Sequence, residues 1–157
     1  MSQAQNSTAG SFSIKDARVR YVMTAPVVTV AVNAMIEDAL DLMLDKHISG
    51  LPVLDPDGGL AGVITEYDVL RFYRESEGEY HPFQPCREFM TTAMVTIGLD
   101  ATLDEATTAL LQTSVRRLLV VDNERLAGVI SRRDIARFIR DERAAQAQLP
   151  WTPPEDD

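Results

Sequence analysis

The sequence predicts an α/β fold made of two copies of one β-α-β-β-α unit, each copy a small sheet with two helices on one face. A nine-residue phrase occurs twice, at 60–68 and 126–134: Leu-Ala-Gly-Val-Ile, a hydroxyl residue, two variable residues and Asp. The rest of the unit repeats with it, at an offset of 67 residues before the second hairpin turn and 66 after it. A length change confined to a surface turn is what a structural repeat tolerates.

Hydrophobic periodicity and turn residues predict the elements of each unit. Residues 34–46 place apolar side chains at i, i+3, i+4 and i+7, the pattern of a helix with a buried face. Residues 60–65 are nearly all apolar, as in a strand covered on both faces, and Asp-Pro-Asp-Gly-Gly at 55–59 supplies turn residues. The predicted elements of the first unit are strand 27–32, helix 34–46, strands 48–54 and 60–65, and helix 66–75.

The repeat also predicts how the chain is divided. A polar stretch without periodicity precedes the first unit, and a linker with two prolines separates the units. A proline-rich acidic tail that contains Trp151 follows the second unit and is expected to be flexible. The predicted segments are a disordered arm 1–14, the first repeat 15–75, the linker 76–86, the second repeat 87–142 and the tail 143–157.

Helix 34–46 is apolar over more of its circumference than one core requires. Met35, Leu42 and Leu44 widen its apolar stripe to about 200°, whereas burial against one core needs about 100°. One interpretation is a helix enclosed within its own domain. We prefer a second interface with another copy of the chain, and the equivalent helix 101–113 shows a similar stripe.

Charge and composition disfavour a polyanionic partner. The formal net charge is −9, whereas nucleic-acid binding needs a basic face that releases counterions. Adjacent arginines at 116–117 and 132–133 suit a small anion better. No apolar run is long enough to span a membrane, no secretion signal is visible, and a single cysteine fits a reducing compartment, so we expect a cytoplasmic protein.

Neither metal binding nor catalysis is predicted. His47, His81 and Cys86 lie far apart without the close pairing that structural zinc sites use. The acidic clusters at 37–41 and 104–105 fall on the polar side of predicted helices, where carboxylates are solvated. With no nucleophile beside a base, no catalytic residue is assigned.

The two copies together resemble a tandem pair of cystathionine-β-synthase (CBS) domains, a Bateman module of the stand-alone bacterial type. The resemblance covers roughly residues 15–142 and rests on Met-Thr at 23–24 and 90–91, the strands at 51–55 and 118–122, and the repeated Gly-Val-Ile-Thr/Ser-x-x-Asp. In that family the sheets pack around a pseudo-twofold axis and leave two clefts for AMP, ADP, ATP, S-adenosylmethionine or related nucleotides. The resemblance also implies a homodimer, a disc of four repeats, formed through helices 34–46 and 101–113.

The family pattern assigns roles to six polar side chains. Ionised carboxylates can accept both ribose hydroxyls in strong charge-assisted hydrogen bonds, and the candidates are Asp68 and Asp134. The hydroxyls expected near ribose or phosphate are Thr65 and Ser131, and those expected near the adenosine are Thr24 and Thr91. A second interpretation, compatible with the first, is that Thr65 and Ser131 cap the helices that follow them.

Arginines are expected to distinguish the two clefts. In the γ subunit of AMP-activated protein kinase, some copies carry a His-Arg pair at the position of Arg116 and Arg117, and this pair reaches the phosphate of the partner copy's cleft. By that resemblance Arg116 and Arg117 are expected to bind phosphate, for which the planar fork of arginine is suited. The cleft predicted to favour phosphate combines Thr24, Thr65 and Asp68 with Arg116 and Arg117. The other is predicted to combine Thr91, Ser131 and Asp134 with Ser49 and Gly50, and with Arg132 and Arg133 as candidates to replace the missing pair.

These inferences predict a non-catalytic regulatory module that binds an adenine nucleotide and signals to a separate, unidentified protein. The alternative is a structural dimerisation or docking module that binds no ligand. Both hypotheses require the same paired fold, so the sequence does not decide between a nucleotide-binding module and a ligand-free one.

Overall fold

The chain folds as two similar halves, as a computed structural model that describes residues 13–77, 79 and 83–148 shows. The α/β fold predicted from the repeat is confirmed. A single 3₁₀ turn, Val19–Tyr21, is followed by β1 (Val30–Ala31), α1 (Ile36–Lys46), β2 (Gly50–Leu54), β3 (Leu60–Thr65) and α2 (Glu66–Glu75). The second half comprises α3 (Cys86–Phe89), β4 (Thr96–Gly98), α4 (Leu103–Gln112), β5 (Arg117–Asp122), β6 (Arg125–Ser131) and α5 (Arg132–Ala147).

Each half builds a three-stranded sheet of the same topology. The edge strand runs parallel to the central strand, and the third strand returns antiparallel to it, in the orders β1-β2-β3 and β4-β5-β6. The register places Gly50 opposite Thr65, and Arg117 opposite Ser131. The start of each central strand therefore lies beside the hydroxyl residue that ends its hairpin.

Each half has its own hydrophobic core between its sheet and its helices. The predicted stripe of α1 is buried, since Ile36, Ala39 and Met43 are at most 1% exposed. They pack with residues of the first sheet, among them Leu51, Val53 and Ile64. The equivalent core of the second half contains Leu103, Ala106, Leu110, Leu118, Val120 and Ile130.

The segments that lead into the two sheets exchange halves. The 3₁₀ turn before the first sheet packs through Val19 into the second core, and α3 before the second sheet packs through Cys86 into the first. Backbone hydrogen bonds of 2.8–3.0 Å then join Thr24 to Val129 of β6, and Thr91 to Val63 of β3. The hydrophobic core of each half is thus completed by the segment that leads into the sheet of the other half.

Close backbone approach explains two repeated glycines. A Cβ at Gly128 would lie 2.9 Å from the Thr24 carbonyl oxygen and 2.6 Å from the Met23 sulfur, and a Cβ at Gly62 would meet the Thr91 carbonyl oxygen at 2.8 Å. Real side chains are not found at such distances. The glycine of the repeated phrase therefore makes room for the exchanged segment.

The exposed part of the wide stripe on α1 is narrower than the sequence suggests. Leu40 and Leu42 pack against the first core, whereas Leu44 is 57% exposed. In α4 the equivalent Leu111 is 76% exposed. One leucine on each of these helices is thus left uncovered within the described chain.

Some expectations concern residues outside the described ranges. They include His81, Trp151 and most of the predicted arm and tail. α5 continues to Ala147, through residues assigned from the sequence to the tail, and Cys86, placed in the linker, begins α3. Across the described part of the chain, none of the helices has the length and apolar character needed to span a bilayer.

Candidate functional site

Thr65 and Ser131 each precede a helix, and the hydroxyl of each accepts one backbone N–H of the helix's first turn. The Thr65 hydroxyl accepts the Asp68 N–H at 3.3 Å, while the Asp68 carboxylate accepts the Thr65 N–H at 2.9 Å. Ser131 and Asp134 repeat this reciprocal pair at 3.2 and 2.8 Å. Both are complete capping boxes of the kind that stabilises helix starts, so the capping interpretation describes a real structural role of these four residues.

Asp68 is buried and nearly saturated with hydrogen bonds. It is 1% exposed. Its Oδ2 accepts both the N–H and the hydroxyl of Thr65 at 2.9 Å, and its Oδ1 accepts the Thr91 hydroxyl at 3.2 Å. The Arg71 guanidinium lies 3.7 Å from Oδ1. A carboxylate offers about four lone-pair positions, so three accepted bonds leave roughly one.

Asp134 has the same contacts but is more accessible. Its Oδ2 accepts the N–H and the hydroxyl of Ser131 at 2.8 and 3.0 Å, and its Oδ1 accepts the Thr24 hydroxyl at 3.2 Å. The Arg137 guanidinium lies 3.9 Å from Oδ1, and the Asp134 side chain is 11% exposed. Asp134 is therefore the carboxylate that a ligand reaches more easily.

These contacts correct the grouping predicted from the sequence. Thr24 was placed with Asp68, and Thr91 with Asp134, whereas the structure pairs Thr24 with Asp134 and Thr91 with Asp68. The reason is the exchange of the lead-in segments, which carries each threonine onto the other half's sheet. The predicted placement of the arginines is wrong as well. Arg116 and Arg117, expected beside Asp68, line an opening with Asp134, because the strand register puts Arg117 opposite Ser131. Ser49 and Gly50, expected beside Asp134, lie in the half of Asp68, where Gly50 is opposite Thr65.

A cleft of about 440 Å³ runs between the two sheets. Its volume falls in the range of about 300–1,000 Å³ that small-molecule pockets occupy. Its walls are mainly apolar, and equivalent residues of both halves contribute. They include Val27, Val28, Ile48, Pro52, Val63, Met94, Val95, Val115, Leu119 and Val129. The polar side chains of the cleft are those of Thr24, Ser49, Thr65, Thr91, Arg116 and Arg117, and Gly50 contributes backbone to the lining.

The repeat gives two equivalent candidate sites, and the cleft reaches both through their threonines. We call site 1 the group formed by Thr65, Asp68 and Thr91 with Ser49 and Gly50. We call site 2 the group formed by Ser131, Asp134 and Thr24 with Arg116, Arg117, Arg132 and Arg133. Each site thus contains a carboxylate and a hydroxyl from one half and a threonine from the exchanged segment.

Site 2 is strongly basic. Its four arginines line one opening together with Thr24, Ser131 and Asp134. The Arg132 guanidinium donates to the Leu110 carbonyl oxygen at 3.2 Å, which holds it across the end of α4. Arg116 and Arg117 also line the central cleft, so they face both the apolar walls and the polar opening. On a chain of net charge −9, this is a local cluster of positive charge.

Arg71 and Arg137 are neighbours of the carboxylates that the sequence reasoning did not assign to the sites. Each lies three residues after its aspartate, on the same helix face, within 4 Å of Oδ1. Both were visible as repeated arginines, and their i,i+3 spacing from aspartate was the signal that could have identified them.

His47 and Cys86 have structural positions. His47 ends α1 in a left-handed conformation, with φ of 54°. Burial raises the pKa of the Cys86 thiol to about 11, and the negative charge of Asp38 adds to the effect. No cluster of three His, Cys, Asp or Glu side chains suited to a metal ion occurs within residues 13–77, 79 and 83–148.

The chain is similar to proteins that contain the CBS domain. The CBS family model matches residues 15–75 and 86–141. MJ1404 of Methanocaldococcus jannaschii is 33% identical over 144 residues, which are 85% of this chain but 34% of that protein, so the chain spans about a third of its length. The CBS domain-containing protein YhcV of Bacillus subtilis is 32% identical over 120 residues, covering 75% of this chain and 82% of YhcV.

A solved structure gives the same result. CBSX2, crystallised in complex with AMP, superposes with a TM-score of 0.70 at 29% identity, covering 80% of this chain and 97% of CBSX2. The repeat, the paired three-stranded sheets and these matches lead to one assignment. The chain belongs to the CBS domain family and carries two copies of the domain.

Proposed function

We propose that the chain is a regulatory module that binds an adenine nucleotide at site 2 and signals to a separate protein. The observation that carries the proposal is the arrangement of four arginines around Asp134 at the opening of an apolar cleft. The similarity to CBSX2, whose structure contains AMP, supports the same ligand class. AMP, ADP and ATP are the candidates, with S-adenosylmethionine as a less anionic one.

The three parts of a nucleotide match three parts of the site. The apolar walls accept the base, Asp134 accepts hydrogen bonds from the ribose hydroxyls, and the arginines bind the phosphate. Arginine suits this role because its planar fork can donate two bonds to one phosphate. The N-terminus of α5, which starts at Arg132, adds a favourable dipole for an anion.

Ribose binding at Asp134 has a structural consequence. Asp134 already accepts three hydrogen bonds, one of them from Thr24. Two ribose hydroxyls need more acceptor positions than remain, so we infer that they displace the Thr24 hydroxyl. Thr24 belongs to the exchanged segment between the second core and β1, and its release is a route from ligand binding to the arrangement of the two halves.

The module is proposed to act as a homodimer, as CBS pairs commonly do. The candidate interface is formed by α1 and α4, the two helices on which Leu44 and Leu111 are exposed. Two equivalent helices of one chain facing those of a second copy would produce the predicted disc of four repeats. Burying leucines in this contact would gain the usual free energy of apolar burial.

Calorimetric titration with AMP, ADP, ATP, adenosine and S-adenosylmethionine at fixed salt tests the proposal. We expect micromolar binding that favours the phosphorylated ligands, and a loss of about tenfold or more in AMP affinity when Arg116→Gln and Arg117→Gln are combined. Adenosine affinity should change little, since it has no phosphate. The control, Arg74→Gln with Arg140→Gln, removes the same charge outside the site.

Two results would oppose the proposal. Equal AMP affinity in the site-2 double variant and the wild type would mean that these arginines do not bind phosphate. If the wild type binds none of the five ligands, the ligand-free docking module would be favoured. In that module Asp68 and Asp134 serve only in helix capping.

A further inference from the structure

The chain that leads into the first sheet reaches from site 2 to the start of α4. We call residues 14–24 the strap. At the end nearest the sheet, the Thr24 hydroxyl donates to Asp134 at 3.2 Å, and the Thr24 backbone pairs with Val129 of β6 at 2.8 and 3.0 Å. The strap is therefore tied to the carboxylate that site 2 offers to a ligand.

The other end of the strap caps α4. The Leu103 N–H donates to the Ala17 carbonyl oxygen at 2.9 Å, and the Asp104 N–H donates to the Ile14 carbonyl oxygen at 3.1 Å. The first N–H groups of a helix have no acceptor within the helix itself, so the strap supplies two acceptors that α4 cannot. These two amides therefore report whether the strap is in place.

The middle of the strap connects its two ends through hydrogen bonds and a buried anchor. Val19 is fully buried in the second core. Its N–H donates to the Ala101 carbonyl oxygen at 2.8 Å, and its carbonyl oxygen accepts the Met23 N–H at 2.9 Å. A contiguous set of bonds, of the kind that can carry coupling between sites, thus runs from the residue before Thr24 to the residue two positions before α4.

An ion pair also fastens the strap beside the start of α4. The Arg20 guanidinium lies 2.7 Å from the Asp100 carboxylate, and the Arg18 guanidinium donates to the Asp100 carbonyl oxygen at 3.1 Å. In the other half the equivalent pair is Arg87 with Asn33, whose amide oxygen is a neutral acceptor. The ion pair is exposed, with Arg20 at 40% and Asp100 at 77%, so it can be changed without disturbing the core.

We propose that the strap transmits occupancy of site 2 to the start of α4. The inference rests on the proposed function, in which ribose displaces the Thr24 hydroxyl from Asp134. Loss of that bond weakens one end of the strap, and the N–H groups of Leu103 and Asp104 at the other end then open more often. Because α4 carries the exposed Leu111, the helix affected is one of the two proposed to join copies of the chain.

Hydrogen exchange of individual amides, followed by NMR on the full chain, tests the strap directly. Relative to the wild type, Thr24→Val should speed exchange at Leu103 and Asp104 by about two- to tenfold and leave Ile36 of α1 unchanged. Saturating AMP should have the same effect on the wild type, because ribose removes the same bond.

The matched variant is Thr91→Val, which removes the equivalent bond in the other half. There the Ile36 N–H at the start of α1 donates to the Gln84 carbonyl oxygen at 2.8 Å, so faster exchange is expected at Ile36 and not at Leu103. Equal acceleration at Ile36 and Leu103 in both variants would indicate general destabilisation and overturn the inference.

Reciprocity between coupled sites gives a second test, at a residue outside site 2. If AMP binding loosens the strap, a strap loosened by mutation must bind AMP more tightly. Arg20→Gln removes the ion pair with Asp100 and should strengthen AMP binding by about two- to fivefold in calorimetry. Loss of a positive charge alone would weaken the binding of an anion, so this gain cannot come from the change in net charge. The control is Arg140→Gln, which removes the exposed ion pair with Asp141 and should not strengthen binding.

The outcomes separate this inference from the proposed function. If AMP binds but exchange at Leu103 and Asp104 stays the same or slows, the strap does not transmit occupancy, and the proposed function stands. The same conclusion follows if Arg20→Gln binds AMP no more tightly than Arg140→Gln. A wild-type protein that does not bind AMP would contradict both.

Discussion

The Thr24 hydroxyl donates a 3.2 Å hydrogen bond to Oδ1 of Asp134, across 110 residues of sequence. Thr91 makes the same 3.2 Å bond to Asp68 in the other half. Both bonds join an exchanged lead-in segment to the carboxylate that starts a helix. Each candidate site is therefore built from both copies of the repeat, so a ligand that changes one bond acts on the contact between the halves.

Replacing Thr24 with valine tests whether ribose competes with this hydroxyl. Thr24→Val keeps the side-chain shape and removes the donor, so we expect the free energy of unfolding to fall by about 0.5–1.5 kcal/mol. AMP affinity should rise, by up to about tenfold, because the ligand no longer displaces a bonded hydroxyl. Calorimetry with AMP and denaturant unfolding measure the two effects.

The matched variant for this test is Thr91→Val in site 1. It should lower stability by a similar amount and leave AMP affinity at site 2 unchanged. Weaker AMP binding by Thr24→Val would show that this hydroxyl contacts the ligand directly instead of competing with it.

The glycine of the repeated phrase should be sensitive to a single added carbon. Gly128→Ala would place Cβ 2.9 Å from the Thr24 carbonyl oxygen, so either the exchanged segment or β6 must move. We expect a loss of about 1–3 kcal/mol in the free energy of unfolding, measured by urea denaturation. Gly98→Ala is the control, because nothing lies within 4 Å of its added Cβ. Equal effects at the two positions would contradict the close-approach explanation.

The repeat explains why so much of the fold could be predicted. Strand 60–65 and helix 66–75 coincide with β3 and α2, since a continuous apolar run followed by a capping box is a strong local signal. The same pattern contains the carboxylate and the hydroxyl of each capping box. Because these features depend on local sequence, the second copy could be assigned by its correspondence to the first.

The exchange of the lead-in segments could not be predicted in the same way. Thr24 stands before β1 in the sequence, so the repeat assigns it to the first half, and its bond to Asp134 is a long-range contact. Likewise, α3 is too short to show a helical period, and Pro82 and Pro85 made its start resemble a linker. Tertiary contacts, not local preference, decide where these segments lie.

The buried thiol of Cys86 should make stability depend on alkaline pH. An unfolded thiol titrates near 9.0, whereas burial in the first core raises the folded pKa to about 11. Between these values the unfolded state loses its proton first, so stability is full below pH 9 and falls as pH rises. We expect this group to remove roughly 1 kcal/mol by pH 10.

Comparison with Cys86→Ala isolates this contribution from the other groups that titrate at high pH. The difference in unfolding free energy between the wild type and the variant, measured under reducing conditions, should shrink between pH 8 and pH 10. A difference that stays constant over this range would mean that the thiol has the same pKa in both states.

The exposed leucines of α1 and α4 provide the last prediction. Leu44 and Leu111 are equivalent in the repeat and are 57% and 76% exposed in the single chain. If they form the contact between two copies, Leu44→Glu combined with Leu111→Glu places like charges on both sides of it. We then expect monomers in sedimentation equilibrium at concentrations where the wild type is dimeric, with the far-UV circular dichroism unchanged.

A control for this experiment is Tyr21→Glu, which adds one negative charge, where the leucine variant adds two, at a side chain that is 81% exposed and lies outside both helices. It should remain dimeric, because loss of an apolar contact, and not net charge alone, is the cause proposed here. If the leucine variant stays dimeric while AMP still binds, another surface joins the copies. Ligand binding would then not depend on the helices α1 and α4, since both sites lie within one chain.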